Sequence, residues 1–331
     1  MVTMKDIAEK CGVSVSTVSR VLSGNALISP DTSRLVMQMA GEMGYMPDVT
    51  ARTLKTNRSD MIGILYDMPL THPYFSGVID AIRTRAEEAG LDILLLSRVK
   101  RDGRMDYTEM ALSRRMDGII VIYADVTSEN VQKLARGNIP VIAIDIYEGQ
   151  TCAVLSDYRD GTRKLAEYAV SMGHRRIALI HGEMGFASRE RIEGLREAMA
   201  ACGLELPADY IRSGRYNHPE VCVRDTEALL ALPDPPTCIL MPDDYSAAHT
   251  LRILREKGIS VPEQFSCAGY GGIDLSQTAG PGLTTYWQDT RTIGRTAVEI
   301  LLSIMKDGPA AGHDLTVSGS LVAGRTVAEL K

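Results

Sequence analysis

At 331 residues the chain exceeds one ordinary domain, and two or three are expected. With 45% hydrophobic and 24% charged residues each domain can bury a core, whereas no apolar run approaches the roughly 18 residues of a membrane span. Net charge is −6, but residues 1–59 carry seven Lys/Arg against five acids, so a head of +2 precedes a body of −8. That asymmetry gives weak support to a polyanion-binding end.

The opening MVTMKDIAEK places Lys5, Asp6 and Glu9 where a secretory signal needs apolar residues, so it reads as mature protein. Three short helices follow. Thr3 with Asp6 makes a cap-like start, and Met4, Ile7, Ala8 and Cys11 recur on one helical face. Gly12 ends that helix and Ser14 caps the next, in which Val18, Val21 and Leu22 point inward. Ser29 and Pro30 start a third, whose inner face is Leu35, Val36, Met39, Ala40 and Met43.

A helix, a turn of about four residues at Gly12 and a second short helix is the helix-turn-helix layout. The second helix exposes Val15, Ser16, Thr17, Ser19 and Arg20. Small polar residues let a helix enter the major groove, and an arginine reaches a guanine edge or a phosphate. The competing reading of the same pattern is a solvated helix on a small bundle. Residues 47–59 read as a linker.

The body alternates apolar runs with amphipathic helices. Strands are expected at 61–66, 91–96, 118–122, 140–144, 176–181, 238–241 and 265–270, with a last strand-like segment at 319–323. Helices fall between, for example at 75–89, 162–172, 189–202 and 245–257. Continuous apolar strands separated by helices imply buried parallel sheets. The length suffices for two, with 156–162 a first crossing between them.

The segments MKDIAEKCGVSVSTVSRVLSG and ISPDTSRLVMQMAGEMGYMPDVTARTL closely resemble the head of the LacI/GalR family of repressors. MDGIIVI, IPVIAID, GHRRIALIHG and GISVPEQFSCAGY resemble that family's effector-binding core, so the likeness covers nearly the whole chain. It implies an all-α helix-turn-helix head on an α/β body of two doubly wound parallel-sheet subdomains, like periplasmic sugar-binding proteins. The implied domains are a DNA-binding head at 1–46, a hinge helix at 47–59 and a core at 60–331. Within the core, an N-subdomain takes about 60–158 and 290–319, and a C-subdomain about 159–289 and 320–331.

The resemblance implies a homodimer on a pseudo-palindromic operator in double-stranded DNA, in the cytoplasm, with no cofactor. Thr3, Val15, Ser16, Thr17, Ser19 and Arg20 are the DNA contacts in the head. Leu54 is the leucine that wedges into the minor groove, with Ala51 facing the partner hinge; the alternative is a flexible tether. Asp48 stands where the family usually has Asn.

For the small-molecule effector the resemblance implies contacts from Asp67, Tyr74, Phe75, Asp145, Arg191, Tyr216, Asp243 and Thr290. Arg191 is expected to grip the effector, its charge tolerated because it meets a ligand and not because it holds the fold. Phe75 could equally be core, and Asp67 and Asp145 could cap helices. One departure stands out: the family's GYDD reads Gly269-Tyr270-Gly271-Gly272, so Gly271 replaces an aspartate that often binds an effector hydroxyl. The vacated corner suggests a substituted or acidic sugar, or a nucleoside, in place of a plain hexose.

Two rival classes share this fold. An enzyme would need a catalytic constellation, and GxGxxG, GxxxxGK[ST], GxSxG and HExxH are all missing from the sequence. The six histidines show no metal-ligand spacing, and the six scattered cysteines suit a reducing compartment. A transport-type sugar-binding protein would lack the DNA-binding head. A mobility shift with genomic DNA separates both rivals from a repressor.

Overall fold

The computed structural model describes residues 2–22, 27–46, 58–66, 70, 72–96, 106–122, 124, 128–146, 152–273, 282–308 and 314–330. They form two compact units, divided between Ser59 and Asp60.

In the first unit lie α1 (Met4–Cys11), α2 (Val15–Leu22) and α3 (Pro30–Glu42). The short Asp6 carboxylate closes a full capping box: it accepts from Thr3 N at 2.8 Å, while Thr3 Oγ1 accepts from Asp6 N at 3.4 Å. Two helix starts are capped by serine, with Ser14 Oγ accepting from Thr17 N at 3.1 Å and Ser29 Oγ from Thr32 N at 3.3 Å. Ile7, Ala8, Val18, Val21, Val36 and Ala40 make the core. Leu35 departs from expectation, being 45% exposed. The inner stripe of α3 is centred on Val36 and Ala40, and a residue one step back is rotated about 100° away from it.

In the second unit the first sheet is built from β1 (Met61–Tyr66), β2 (Asp92–Leu96), β3 (Gly118–Ile122), β4 (Val141–Ile144), β5 (Cys152–Ser156) and β11 (Leu315–Val317). Its order is β11-β5-β4-β3-β1-β2, and every pairing is parallel. The second sheet holds β6 (Ile177–His181), β7 (Ile211–Ser213), β8 (Cys238–Leu240), β9 (Ser266–Gly271), β10 (Thr284–Trp287) and β12 (Ser320–Val322). It runs β12-β10-β9-β8-β6-β7, parallel except where β12 meets β10. The expected strands are present within a residue or two at each end.

The additional strands are β5, β7, β10 and β11, each of three to five residues. Such short pairings leave too little apolar sequence to stand out from loops.

The helices of this unit are α4 (Pro73–Glu88), α5 (Tyr107–Ser113), α6 (Glu129–Ala135), α7 (Tyr158–Ser171), α8 (Phe186–Ala201), α9 (Pro219–Leu230), α10 (Asp244–Glu256) and α11 (Thr290–Asp307). Helices α4 and α11 cover one face of the first sheet, with Val78, Ile82, Ile293, Ala297 and Leu301 packed on Ile62, Ile64, Ile120 and Ile142. Helices α7 and α8 cover the second sheet through Leu165, Ala166, Leu195 and Met199. Helix α7 starts four residues earlier than its periodicity suggests, because Asp157 caps it by accepting from Asp160 N at 3.1 Å.

The chain changes sheet three times: between Ser156 and Tyr158, at Gln288–Asp289, and between Val317 and Ser320. Both sheets therefore turn the carboxyl ends of their parallel strands toward these connections, where open α/β sheets bind ligands.

Candidate functional site

The residues expected to contact DNA, Thr3 apart, lie on α2. Val15, Ser16 and Arg20 are exposed and Thr17 and Ser19 half-buried. At 100° per residue Val15, Ser19, Ser16 and Arg20 span about 140° of helix surface, opposite the buried Val18 and Val21. Thr3 lies in the cap of α1, its hydroxyl donating to Asp6 at 2.8 Å. Leu54, Ala51 and Asp48 lie outside the described residues.

In the body, Tyr74 and Phe75 open α4 and are 8% and 7% exposed. Phe75 packs against Tyr66 and His72, with ring centroids 5.5 and 4.8 Å away, as part of the core. The Tyr74 hydroxyl donates to Asp145 Oδ2 and lies 3.1 Å from Ser156 Oγ. Asp145, just past β4, holds φ +55° and accepts from Ser156 N at 2.7 Å. Burial pushes its carboxyl above the usual range, against hydrogen bonds from Tyr74, Ser156 and Tyr158 that pull it down. Gln288, at the second connection, donates from Nε2 to Ser156 Oγ at 2.9 Å. Asp145 thus sits inside a network that ties the first connection to the second, and most of its acceptor capacity is taken. Asp67 lies outside the described residues.

Arg191, on α8, is only 1% exposed. Its guanidinium donates to the carbonyls of Met241 and Pro242, each at 2.7 Å, and to Thr162 Oγ1 at 3.3 Å. It also lies 4.2 Å from the centroid of Tyr270, a ring stacked on Tyr158 at 5.9 Å. Three of its five N–H groups are therefore spent on the fold, and one fork fastens α8 to the chain after β8. The expectation that this charge is tolerated without holding the fold is corrected on that ground.

Tyr216 follows β7 and rests on Gly182, where an ideal Cβ would fall 2.0 Å from ring atom Cε2. Its hydroxyl is 3.4 Å from Ser188 Oγ and its backbone N–H donates to Glu183 at 3.1 Å. Asp243 caps α10, accepting from Ser246 N at 2.6 Å and Ser246 Oγ at 2.9 Å, and also from Asn217 N at 2.9 Å. Thr290 opens α11 with its side chain over Gly77, whose ideal Cβ would fall 2.9 Å from Oγ1. Tyr216, Asp243 and Thr290 each stand three residues past the carboxyl end of a strand, β7, β8 and β10 in turn.

Gly271 ends β9 at φ +123°, a conformation an aspartate rarely adopts, so its backbone differs from one that carries a side chain there. An ideal Cβ on Gly271 meets nothing closer than Asp244 Oδ2 and Ile273 Cγ2, both at 3.9 Å. The corner is open, as expected, but a carboxylate faces it. An acidic ligand group would meet Asp244 there, which removes the argument for an acidic effector.

Asp244 was not foreseen. It is 1% exposed, accepts from Thr285 Oγ1 at 2.6 Å and Ile273 N at 2.9 Å, and is pushed by burial up to about 6. His72, Asn217, Tyr158 and Gln288 were also missed. Among them only Tyr158 and Gln288 had a sequence signal, their place beside the expected connections.

No group of three or more metal-ligating side chains occurs among the described residues, and no described helix is long and apolar enough to cross a membrane.

Residues 3–48 match the model for bacterial regulatory proteins of the lacI family, and residues 166–327 that for a periplasmic binding protein-like domain. The HTH-type transcriptional repressor PurR of Vibrio cholerae is 31% identical over 335 aligned residues, covering 100% of this chain and 99% of the relative. The lac repressor dimer bound to operator and the anti-inducer ONPF superposes with a TM-score of 0.85 at 28% identity, over 99% of both chains. A complex of the transcriptional regulator CelR with cellobiose gives 0.72 at 25% identity, over 98% of this chain and 100% of the other. Head, parallel-sheet body and full-length likeness agree: the chain belongs to the lacI family of bacterial regulatory proteins and is a DNA-binding transcriptional repressor, not an enzyme.

Proposed function

We propose that this repressor works as a homodimer on a pseudo-palindromic operator in the cytoplasm, released or tightened by a small polar effector held between the two sheets. Residues 1–46 act as the DNA-binding head, 47–59 as the hinge with Leu54 as its wedge, and 60–331 as the effector core. The core divides into subdomains of about 60–158 with 290–319, and 159–289 with 320–331. Two heads related by a two-fold axis double the contacts that one short helix can make.

The observation that carries the DNA role is the outward face of α2, where Val15, Ser16 and Arg20 stand exposed on a helix fixed by the Val18 and Val21 core. For the effector, Tyr216 with Asp243, and Thr290 with Tyr74 and Phe75, are the wall residues from the two subdomains. Asp145 and Arg191 border the ligand but act chiefly through the network and the carbonyl fork described above. An aromatic beside polar groups suits a sugar or sugar derivative, or a nucleoside. The relative solved with cellobiose supports the first of these.

Selection of bound fragments from a random DNA library tests the DNA role. A repeated, two-fold symmetric sequence is expected, and binding with no sequence preference overturns it. A panel of sugars and nucleosides added to the protein–DNA complex tests the effector role. Sedimentation of a stable monomer at micromolar concentration would count against the dimer.

A further inference from the structure

Val15 opens α2 with its side chain 45% exposed, outside the apolar core that Val18 and Val21 share. The start of the helix does not require a valine there. Val13 and Val18, on either side of the Ser14 cap, both join that core and occupy the two positions of a hydrophobic staple. Valine also gains little from an exposed helical site, because its β-branch restricts the rotamer against the preceding turn. The fold therefore leaves this apolar side chain without a task.

The hydroxyls beside it are engaged with one another. Ser14 Oγ accepts from Thr17 N at 3.1 Å and lies 2.7 Å from Ser16 Oγ and 2.8 Å from Thr17 Oγ1. One proton and two lone pairs are fully used by these three bonds. Ser16 and Thr17 are thereby drawn back toward the cap. A hydroxyl both donates and accepts, so it also distinguishes bases poorly. Arg20 stands in the last turn, about 140° around the axis and about 7.5 Å along it from Val15. The two side chains thus mark opposite edges of the exposed arc.

We propose that Val15 reads a thymine of the operator by packing its methyl groups on the 5-methyl group of the base. The inference rests on the DNA-binding role of α2 and names what that helix recognises. Among the groups that base edges display in the major groove, the thymine methyl is the one suited to an apolar side chain. Arg20 supplies its donor fork to a guanine or a phosphate at another base pair. Ser14, Ser16 and Thr17 hold the start of the helix in shape.

The test uses the full-length protein and the duplex selected from a random DNA library. Thymidine is replaced by deoxyuridine one position at a time, which deletes the methyl and leaves every hydrogen-bonding group in place. At one thymine of the half-site the affinity is expected to fall about fourfold, the worth of one buried methyl, and about fifteenfold when both half-sites are changed. The contact carries no charge, so this ratio should hold as salt is raised while the affinity for both duplexes falls.

Val15→Ser should bring the thymine-to-uracil ratio close to one, whereas Val15→Thr, which keeps one methyl on the same branch, should retain part of it. A variant that merely disturbed the helix would weaken both duplexes alike and leave the ratio unchanged. A selected half-site without thymine overturns the proposal, as does a ratio of one at every thymine or a ratio that persists in Val15→Ser. Selection that yields no preferred sequence defeats instead the DNA role of α2 on which the proposal rests.

Discussion

The Tyr74 hydroxyl donates to the Asp145 carboxylate, so two residues that read as separate ligand contacts in the sequence are partners in the structure. Ser156 joins them through its backbone N–H at 2.7 Å and is held in turn by Gln288 at 2.9 Å. The network lies where the chain passes between sheets, so an error in it is felt on both sides of the cleft.

Tyr74→Phe leaves the Asp145 carboxyl buried with one donor fewer. We expect a loss of roughly 1–3 kcal/mol in urea unfolding, and a further rise in the acid's affinity for its proton. The variant protein should therefore lose least at low pH, where a protonated carboxyl no longer needs the phenol. Equal stability of variant and parent at neutral pH would show that Asp145 finds another donor.

Arg191→Ala removes the fork from the carbonyls of Met241 and Pro242 and the cation from the face of Tyr270. The expected cost is roughly 2–5 kcal/mol in chemical denaturation. Arg191→Lys should recover only part of it, since a single ammonium does not reproduce a planar fork. Full stability with loss of the effector response alone would return Arg191 to the role of a pure ligand contact.

Asp244 makes the body's stability depend on pH in an unusual direction. Its folded-state value of about 6 lies above the ordinary 3.8, so the folded chain holds this proton more tightly than the unfolded one. The stabilisation is fully present below 3.8 and is lost as pH rises through about 6, amounting to about 3 kcal/mol at most. Asp244→Asn should flatten that portion of the profile. The check is the difference between parent and variant unfolding free energies from pH 4 to pH 7.5; a difference that does not change with pH would overturn the assignment.

Trp287 is the only tryptophan of the chain and is 39% exposed at the end of β10, one residue before Gln288. It lies on Gly272, where an ideal Cβ would come within 2.4 Å of its Cδ1. A ligand that shifts the second connection should alter its emission, and the response should saturate with the thermal shift caused by the same ligand. Binding with unchanged emission maximum and intensity would mean that this connection does not move.

Periodicity and short motifs carried much of this protein in the sequence. Thr3–Asp6, Gly12, Ser14 and Ser29–Pro30 mark helix ends by local hydrogen bonding, and local bonds are written within three or four residues. The strands at Ile62–Leu65, Ile119–Ile122 and Ile177–Ile180 are buried on both faces and so are apolar throughout, which is also legible along the chain.

What only the tertiary structure decided is the partner of each polar side chain in the cleft. Arg191 bonds to carbonyls 50 and 51 positions away, Tyr74 to an acid 71 positions away, and Gln288 to a serine 132 positions away. Whether a charged or hydroxyl group serves the fold or remains open to a ligand depends on such distant partners. Gly271 makes the same point through the backbone: its replacement of an aspartate is visible in the sequence, but the positive φ and the facing Asp244 carboxylate exist only once β9 and α10 have been packed together.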